Sequence, residues 1–303
     1  MLIEQAFYNL PEILVGSGYA RQEYEAGIVS AFSLALLQEL NGRNAPNPIS
    51  FITAEKRFSN NIKKLRADLH VRLGNLYVGS KKYSDFGFRY SNWIEAKFFR
   101  SGKGVAPSTQ NLGQVVADLV RLAALVPIER AKDKNGNNTD LAITGRYFLH
   151  VYYGDPLVHV SPVRKKKGAQ SRKWVETLFK EGSVDIDDFE LGQETNTFFT
   201  HLGKGLSTLK CSMKLTNIKI APHSASKQPF YTFVLSRIDE ATTQFNGRSF
   251  SFKSERTFSC VPPDCFEDFR KDIASQIKPK KVAQATDSSE DAATDNDEVS
   301  DDE

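Results

Sequence analysis

The chain has 303 residues, 40% hydrophobic and 25% charged, a balance that allows one large globular domain or two ordinary ones. No apolar run reaches the length of a membrane span, residues 1–20 lack the basic start and cleavage site of a secretion signal, and three cysteines (Cys211, Cys260, Cys265) build neither a disulfide framework nor a four-cysteine zinc site, so a cytoplasmic protein is expected. The net charge of +3 hides an asymmetry: residues 287–303 carry nine acids and no Lys or Arg, which leaves +12 on residues 1–286 and predicts a polyanionic partner.

In chain order, residues 21–41 predict a largely buried helix, with Val29, Phe32, Leu36 and Leu40 in one stripe, widened by Ile28, Ala31 and Ala35, and Asn41-Gly42 at its end. Glu25 lies one turn ahead of Val29, where an acid also suits the helix dipole. Residues 43–65 read as a polar connector with a short helix at 54–64. Residues 66–73 (RADLHVRL) alternate as a half-buried strand, with Asp68 and His70 on the polar side.

Residues 83–99 (YSDFGFRYSNWIEAKFF) read as a hairpin turning at Tyr90-Ser91-Asn92. Phe86, Phe88, Ile94, Ala96 and Phe98 form its apolar face, and Asp85, Gly87, Arg89, Glu95 and Lys97 the other. That register pairs Arg89 with Trp93, Gly87 with Glu95 and Asp85 with Lys97; a slip by one would put Asp85 among the phenylalanines. A helix follows at about 109–126, then a buried strand at 145–156. Six bases fill residues 164–173 (RKKKGAQSRK), a short helix is expected at 173–180 and an acidic turn at 184–194. Strands are expected in 210–222 and 228–238, a helix at 263–277, and a disordered acidic tail at the end.

Asp85, Glu95 and Lys97 on one face are the residues with chemistry to offer. Two carboxylates and the Ala96 carbonyl are hard oxygen donors suited to one Mg²⁺, which acidifies water and neutralises phosphate charge. Lys97 can orient that water or stabilise the transition state. The bland alternative is an exposed ion pair on a solvated strand, worth little. There is no phosphate-binding GxxxxGK[ST] loop, no HExxH and no GxSxG.

On these residues the chain resembles the PD-(D/E)xK nuclease superfamily, the fold of most type II restriction endonucleases. The resemblance implies an α/β restriction-endonuclease-like core, ordered helix-strand-strand-strand-helix-strand, with a mixed sheet flanked by helices and a β-rich C-terminal part. The core would occupy residues 1–160, a substrate-recognition or core-completing part 161–278, and the tail 279–303. Asp85 and Glu95 match the family's metal carboxylates and Lys97 its lysine, although Ser84 replaces the motif's proline. Glu25, with Glu23 as fallback, lies where members carry a supporting acid, and Gln110 or Gln114 where some exonuclease-like members place a glutamine. The implied activity is Mg²⁺-dependent hydrolysis of double-stranded DNA by an endonuclease, as in restriction or phage defence, with a homodimer as one allowed assembly. Expected phosphate contacts are Arg100, Lys103, Arg164, Lys165, Lys166, Lys167, Arg172 and Lys173. The alternatives are a non-catalytic nucleic-acid-binding module on the same fold, and an interaction protein acting through its tail.

Overall fold

The structure is a computed structural model that describes residues 2–16, 24–60, 62–74, 76–78, 81–82, 91–100, 108–127, 130–132, 138–141, 144–160, 173–191, 194–221, 231–253, 258–261 and 265–277. Helix α1 (Leu2–Gly16) buries Leu2, Ile3, Ala6, Phe7, Leu10 and Leu14 at helical spacing, and packs on α2 (Glu25–Gly42), whose buried stripe runs Ile28, Ala31, Phe32, Ala35, Leu36 and Leu40. The chain then forms β1 (Ile52–Ser59), β2 (Ile62–Arg72), the short pair β3 (Tyr77–Val78) and β4 (Lys81–Lys82), β5 (Ser91–Phe99) and α3 (Ser108–Ala124). A second short pair, β6 (Arg130–Lys132) and β7 (Asn138–Leu141), precedes β8 (Thr144–Tyr153), α4 (Pro156–Val160) and α5 (Lys173–Leu178). Last come β9 (Gly182–Glu190), α6 (Phe199–Leu202), β10 (Lys210–Ile220), β11 (Tyr231–Phe245), β12 (Arg248–Lys253), β13 (Phe258–Val261) and α7 (Phe266–Gln276).

Nine strands make one mixed sheet, ordered β1-β2-β5-β8-β11-β10-β9, with β12 and β13 added beside β11. Its neighbours are antiparallel except β5 and β8, which run parallel and are joined through α3, as a parallel pair requires a crossover. Taking the strands of this sheet and the helices between them, the order to β8 is α2, β1, β2, β5, α3 and β8; its first strand is β1, and the strand expected within residues 83–89 lies outside the described residues. The described residues of 161–278 continue this sheet. β11 pairs directly with β8, and the core on the α3 side gathers residues from Phe58 to Ile277.

The sheet has two buried faces. Leu69, Val71, Ile94, Ala96, Phe98, Leu149 and Val151 face α1 and α2, while Trp93, Phe99, Phe148 and Tyr152 face α3. Residues 91–99 are therefore nearly continuous in burial, the pattern of a central strand covered on both sides, and not a solvated odd face. Ser91 and Asn92, expected as turn residues, are buried strand residues.

Other expectations fail for identifiable reasons. The expected helix at 54–64 is instead the β1–β2 hairpin: β1 is an edge strand with one side in water, so its sequence shows little apolar alternation. The acidic turn at 184–194 is largely strand β9, in which Val184 and Ile186 point inward and alternate with Asp185 and Asp187. The expected Arg89–Trp93 pairing is excluded, because Trp93 pairs with His70 on one edge and Arg146 on the other. Trp174 packs against the α3-side core and Tyr231 and Phe233 lie in the other one, as structural aromatics. No helix among the described residues is long and apolar enough to cross a membrane.

Candidate active site

Strand β5 carries Glu95, Ala96 and Lys97 in the middle of the sheet. Glu95 and Lys97 point to the α3 side, Ala96 to the α1/α2 side. Glu95 is fully buried, beside Phe148 in the parallel register, and Lys97 lies beside His150. A carboxylate at 0% exposure is not the solvated strand residue that the bland reading requires.

The second carboxylate near this segment comes from β2. The antiparallel ladder between β2 and β5 ends at Leu69–Ile94. One residue beyond, the Oδ2 of buried Asp68 accepts a hydrogen bond from the Ala96 amide at 2.6 Å, a side chain taking the N–H next to Glu95. The local cause is a change in strand facing: Leu65 and Ala67 belong to the α3-side core, whereas Leu69, Val71 and Leu73 belong to the other. Glu55, on the neighbouring strand between the partners of Ala67 and Leu69, has a φ of 52°, in the left-handed region. Asp68 thus sits at an irregularity in the ladder, where its carboxylate reaches the backbone of the Glu95-Ala96-Lys97 segment.

Lys97 is held from two helices. Its Nζ lies 2.5 Å from Glu25 Oε2 at the start of α2 and 3.9 Å from Asp118 Oδ2 on α3. Asp118 is itself paired with Arg121 one turn on. Glu25, expected beside a metal, therefore points its carboxylate at the Lys97 ammonium. Beside it, Arg100 is exposed and its guanidinium lies over the Tyr24 ring at 4.5 Å. The dipeptide Tyr24-Glu25 so engages both bases at the end of β5.

Two histidines line the same side of the sheet, both neutral by burial. His150 donates or accepts between Tyr152 Oη at 2.8 Å and Ser236 Oγ at 3.0 Å, and desolvation pushes its pKa down to about 3, against the nearby Asp118 carboxylate, which acts to raise it. Burial and the charges of Lys56 and Arg72 lower His70 to about 4; it is buried against Trp93 and bonded to Ser91 Oγ at 2.8 Å, not on the surface. On α3, Gln110 and Gln114 reach His201 Nε2 of α6 at 2.5 and 3.5 Å. Their spacing puts them on the face that carries Asp118 one turn further on.

Asp85, Lys103, Arg164, Lys165, Lys166, Lys167 and Arg172 lie outside the described residues, as does the acidic tail; Lys173 begins α5. Among the described residues, no three His, Cys, Asp or Glu side chains group closely enough to hold a metal ion together. Sequence reasoning did not single out Asp68 as an acid beside the Glu95-Ala96-Lys97 segment. Its signal was an acid on the strand read before the hairpin, but sequence adjacency favoured Asp85 as the neighbour of Glu95. In comparisons with known proteins, no family model, no curated protein and no solved structure matches this chain.

Proposed function

We propose that the protein is a Mg²⁺-dependent nuclease of the PD-(D/E)xK type acting on double-stranded DNA, with Asp68, Glu95 and Lys97 as its catalytic group. The observation that carries this reading is the bond that the Ala96 amide donates to Asp68, which sets a second carboxylate beside the Glu95-Ala96-Lys97 segment. The order α2, β1, β2, β5, α3, β8, with parallel β5 and β8, supports the same core as the resemblance implied.

The donors suit Mg²⁺ in type: two carboxylates and the Ala96 carbonyl are hard oxygens, and Mg²⁺ is commonly held by one or two carboxylates with waters and substrate phosphate completing its shell. When bound, the ion would acidify water and offset charge on the phosphate. Glu95, buried, and Asp68, fixed by the Ala96 amide, would hold it with little reorganisation. Lys97, anchored by Glu25, would aim its ammonium at the attacking water or the pentacovalent phosphate. Arg100 would hold a flanking phosphate. A foreign-DNA defence role, as in restriction, follows from the resemblance alone.

Plasmid incubated with and without Mg²⁺ tests the reading. Lys97→Ala should abolish cleavage while DNA binding persists, since its role is confined to the transition state. Asp68→Asn keeps an oxygen for the Ala96 amide but removes charge, and should abolish cleavage together with Mg²⁺ binding measured by calorimetry. Asp85→Asn discriminates the two candidate acids: loss of cleavage there with full activity in Asp68→Asn would return the role to Asp85. Wild-type cleavage by both Lys97→Ala and Glu95→Gln would remove these residues from the catalytic group, and no Mg²⁺-dependent cleavage by the wild type would end the nuclease reading. A second reading, a non-catalytic DNA-binding module on this fold, is favoured by the way Glu25 and Asp118 flank Lys97. Metal-independent binding with no cleavage would select it.

A further inference from the structure

Hairpin β1–β2 has two unlike faces. Phe58, Ile62, Leu65 and Ala67 are buried in the α3-side core, and Arg270 of α7 bonds the Phe58 carbonyl from below at 2.6 Å. Arg57, Lys64 and Arg66 are exposed. Arg57 and Arg66 are direct register partners, so their side chains share a face, and Lys64 is two residues from Arg66 on that same side of β2. The helices covering this side of the sheet elsewhere stop short: the α1/α2 core holds Phe51, Ile52 and Leu69, and nothing between 53 and 68. None of the three cations is in an ion pair with an acid among the described residues.

Like charges set directly opposite on a strand pair repel each other and contribute nothing to holding the hairpin. Three uncompensated cations on a sheet face left bare by its helix layer are a surface complementary to an external polyanion. We propose that this face of the β1–β2 hairpin is a docking surface for the phosphate backbone of duplex DNA. The choice of DNA as the polyanion rests on the nuclease reading; the cationic face does not. Arg66 precedes Asp68 by two residues on one strand, about 7 Å at the usual rise, while Glu95 and Lys97 point to the other side of the sheet, so this face is a positioning contact separate from the candidate site. The +12 charge on residues 1–286 gives the approach a favourable long-range field.

The test is equilibrium binding of a short fluorescent duplex to the full chain, with EDTA in place of Mg²⁺ so that cleavage plays no part. Wild type is compared with the triple variant Arg57→Gln, Lys64→Gln, Arg66→Gln from about 50 to about 200 mM salt. At about 0.9 per phosphate contact, the slope of log K against log salt should fall by about 2.7, with affinity at the lowest salt reduced about tenfold or more. Lys271→Gln, at an exposed site on α7, should change neither by more than one charge's worth. An unchanged slope in the triple variant overturns the proposal. So does a loss that disappears once residues 287–303 are removed from both proteins, because the acidic tail would then be the occupant. Arg57→Lys with Arg66→Lys keeps both charges and should keep the slope, which leaves a usable comparison if the glutamine variant fails to fold; loss of the slope there would also overturn it. A reduced slope in a protein that never cleaves sustains the surface while the nuclease reading falls.

Discussion

The two sides of the sheet are built from different materials. The side under α1 and α2 is almost wholly apolar, with Phe7, Phe32, Leu36, Ile94 and Leu149 among its fully buried residues and Glu4 near its edge. The side under α3 and α7 is equally buried but carries Glu95, Asp118, Arg121, His150 and Arg270. Burying such groups is costly unless each is paired or hydrogen-bonded, and a shape-matched apolar core would usually be as stable. The apolar side is sufficient to explain its own folding; the polar side is not explained by folding alone. That contrast is what the proposed site for phosphodiester hydrolysis would require, and it can be tested one residue at a time.

The largest effect is expected at Arg270. Its guanidinium donates to the Leu125 carbonyl at 2.5 and 2.9 Å, to the Phe58 carbonyl at 2.6 Å and to Glu267 at 2.6 Å, tying α7 to the end of α3 and to β1. Arg270→Ala strands buried carbonyls and opens a cavity, and should cost about 3–5 kcal/mol in urea unfolding. On the apolar side, Phe32→Ala should cost a similar amount, about 3–5 kcal/mol. The sides separate in a second readout. Cleavage per folded molecule should survive Phe32→Ala, and should be lost in Glu95→Gln even where the fold is intact. A Glu95→Gln protein with full cleavage would make the polar side merely structural.

Acid should weaken the polar side first. With a folded pKa of about 3 against about 6.5 unfolded, His150 is neutral in the native protein while the unfolded chain gains a proton. Its contribution is therefore fully present above pH 6.5 and is lost as pH falls from 6.5 toward 3, about 2 kcal/mol by pH 5. His70, lowered to about 4, acts in the same direction over 6.5 to 4. His150→Gln can still bridge Tyr152 and Ser236 but does not titrate. Its stability should fall less between pH 7 and pH 5 than wild type does, by about 2 kcal/mol. Parallel losses in the two proteins would mean that His150 is protonated in the fold.

The parts of this arrangement that sequence made legible are those with a clean period. The α2 stripe declared itself because it buries one face against a partner, whereas β2 is not the half-buried strand expected, with Ala67 to Val71 all buried, and α3 is buried nearly all round. Edge strand β1 did not declare itself, since five consecutive residues are exposed and nothing alternates. In β9, Asp185, Asp187 and Asp188 around Val184 and Ile186 obscured a two-residue period that was present. At the candidate site, Glu95 and Lys97 were readable as a pair on one strand face, but Asp68 was not. Which strand neighbours β5 is decided by long-range pairing, after an excursion through β3 and β4, and no local pattern encodes that choice. Their burial was equally hidden, because Lys97 meets Glu25 from 72 residues away.

Gly113 gives a smaller effect whose sign is itself informative. In a helix interior, Gly→Ala ordinarily stabilises by up to about 1 kcal/mol. Here a Cβ would run into the backbone carbonyl oxygen of Phe198, so α3 and α6 can lie this close only without a side chain. Gly113→Ala should therefore destabilise, by about 1–3 kcal/mol, and should separate His201 from Gln110 and Gln114. A stabilised variant would mean that the two helices pack more loosely.

The smallest effect is expected one residue from the largest. Lys271 is the chain neighbour of Arg270 on α7, and it too pairs with an acid three residues back: Asp268, at 3.4 Å. Both partners stand largely in water, with side-chain exposures of 48% and 71%, whereas Arg270 retains 2%. Water solvates the separated charges nearly as well as they solvate each other, and salt screens what remains. A double-mutant cycle of Lys271→Ala and Asp268→Ala should give a coupling of about 0–0.5 kcal/mol, vanishing as salt rises. The same cycle on Arg270 and Glu267 should give a larger coupling that salt screens less, because the guanidinium is buried and anchored on two carbonyls although Glu267 itself is 52% exposed. Equal couplings at the two pairs would show that burial under the α3 side of the sheet adds nothing to a charge pair, and the contrast between the two faces would lose its energetic basis.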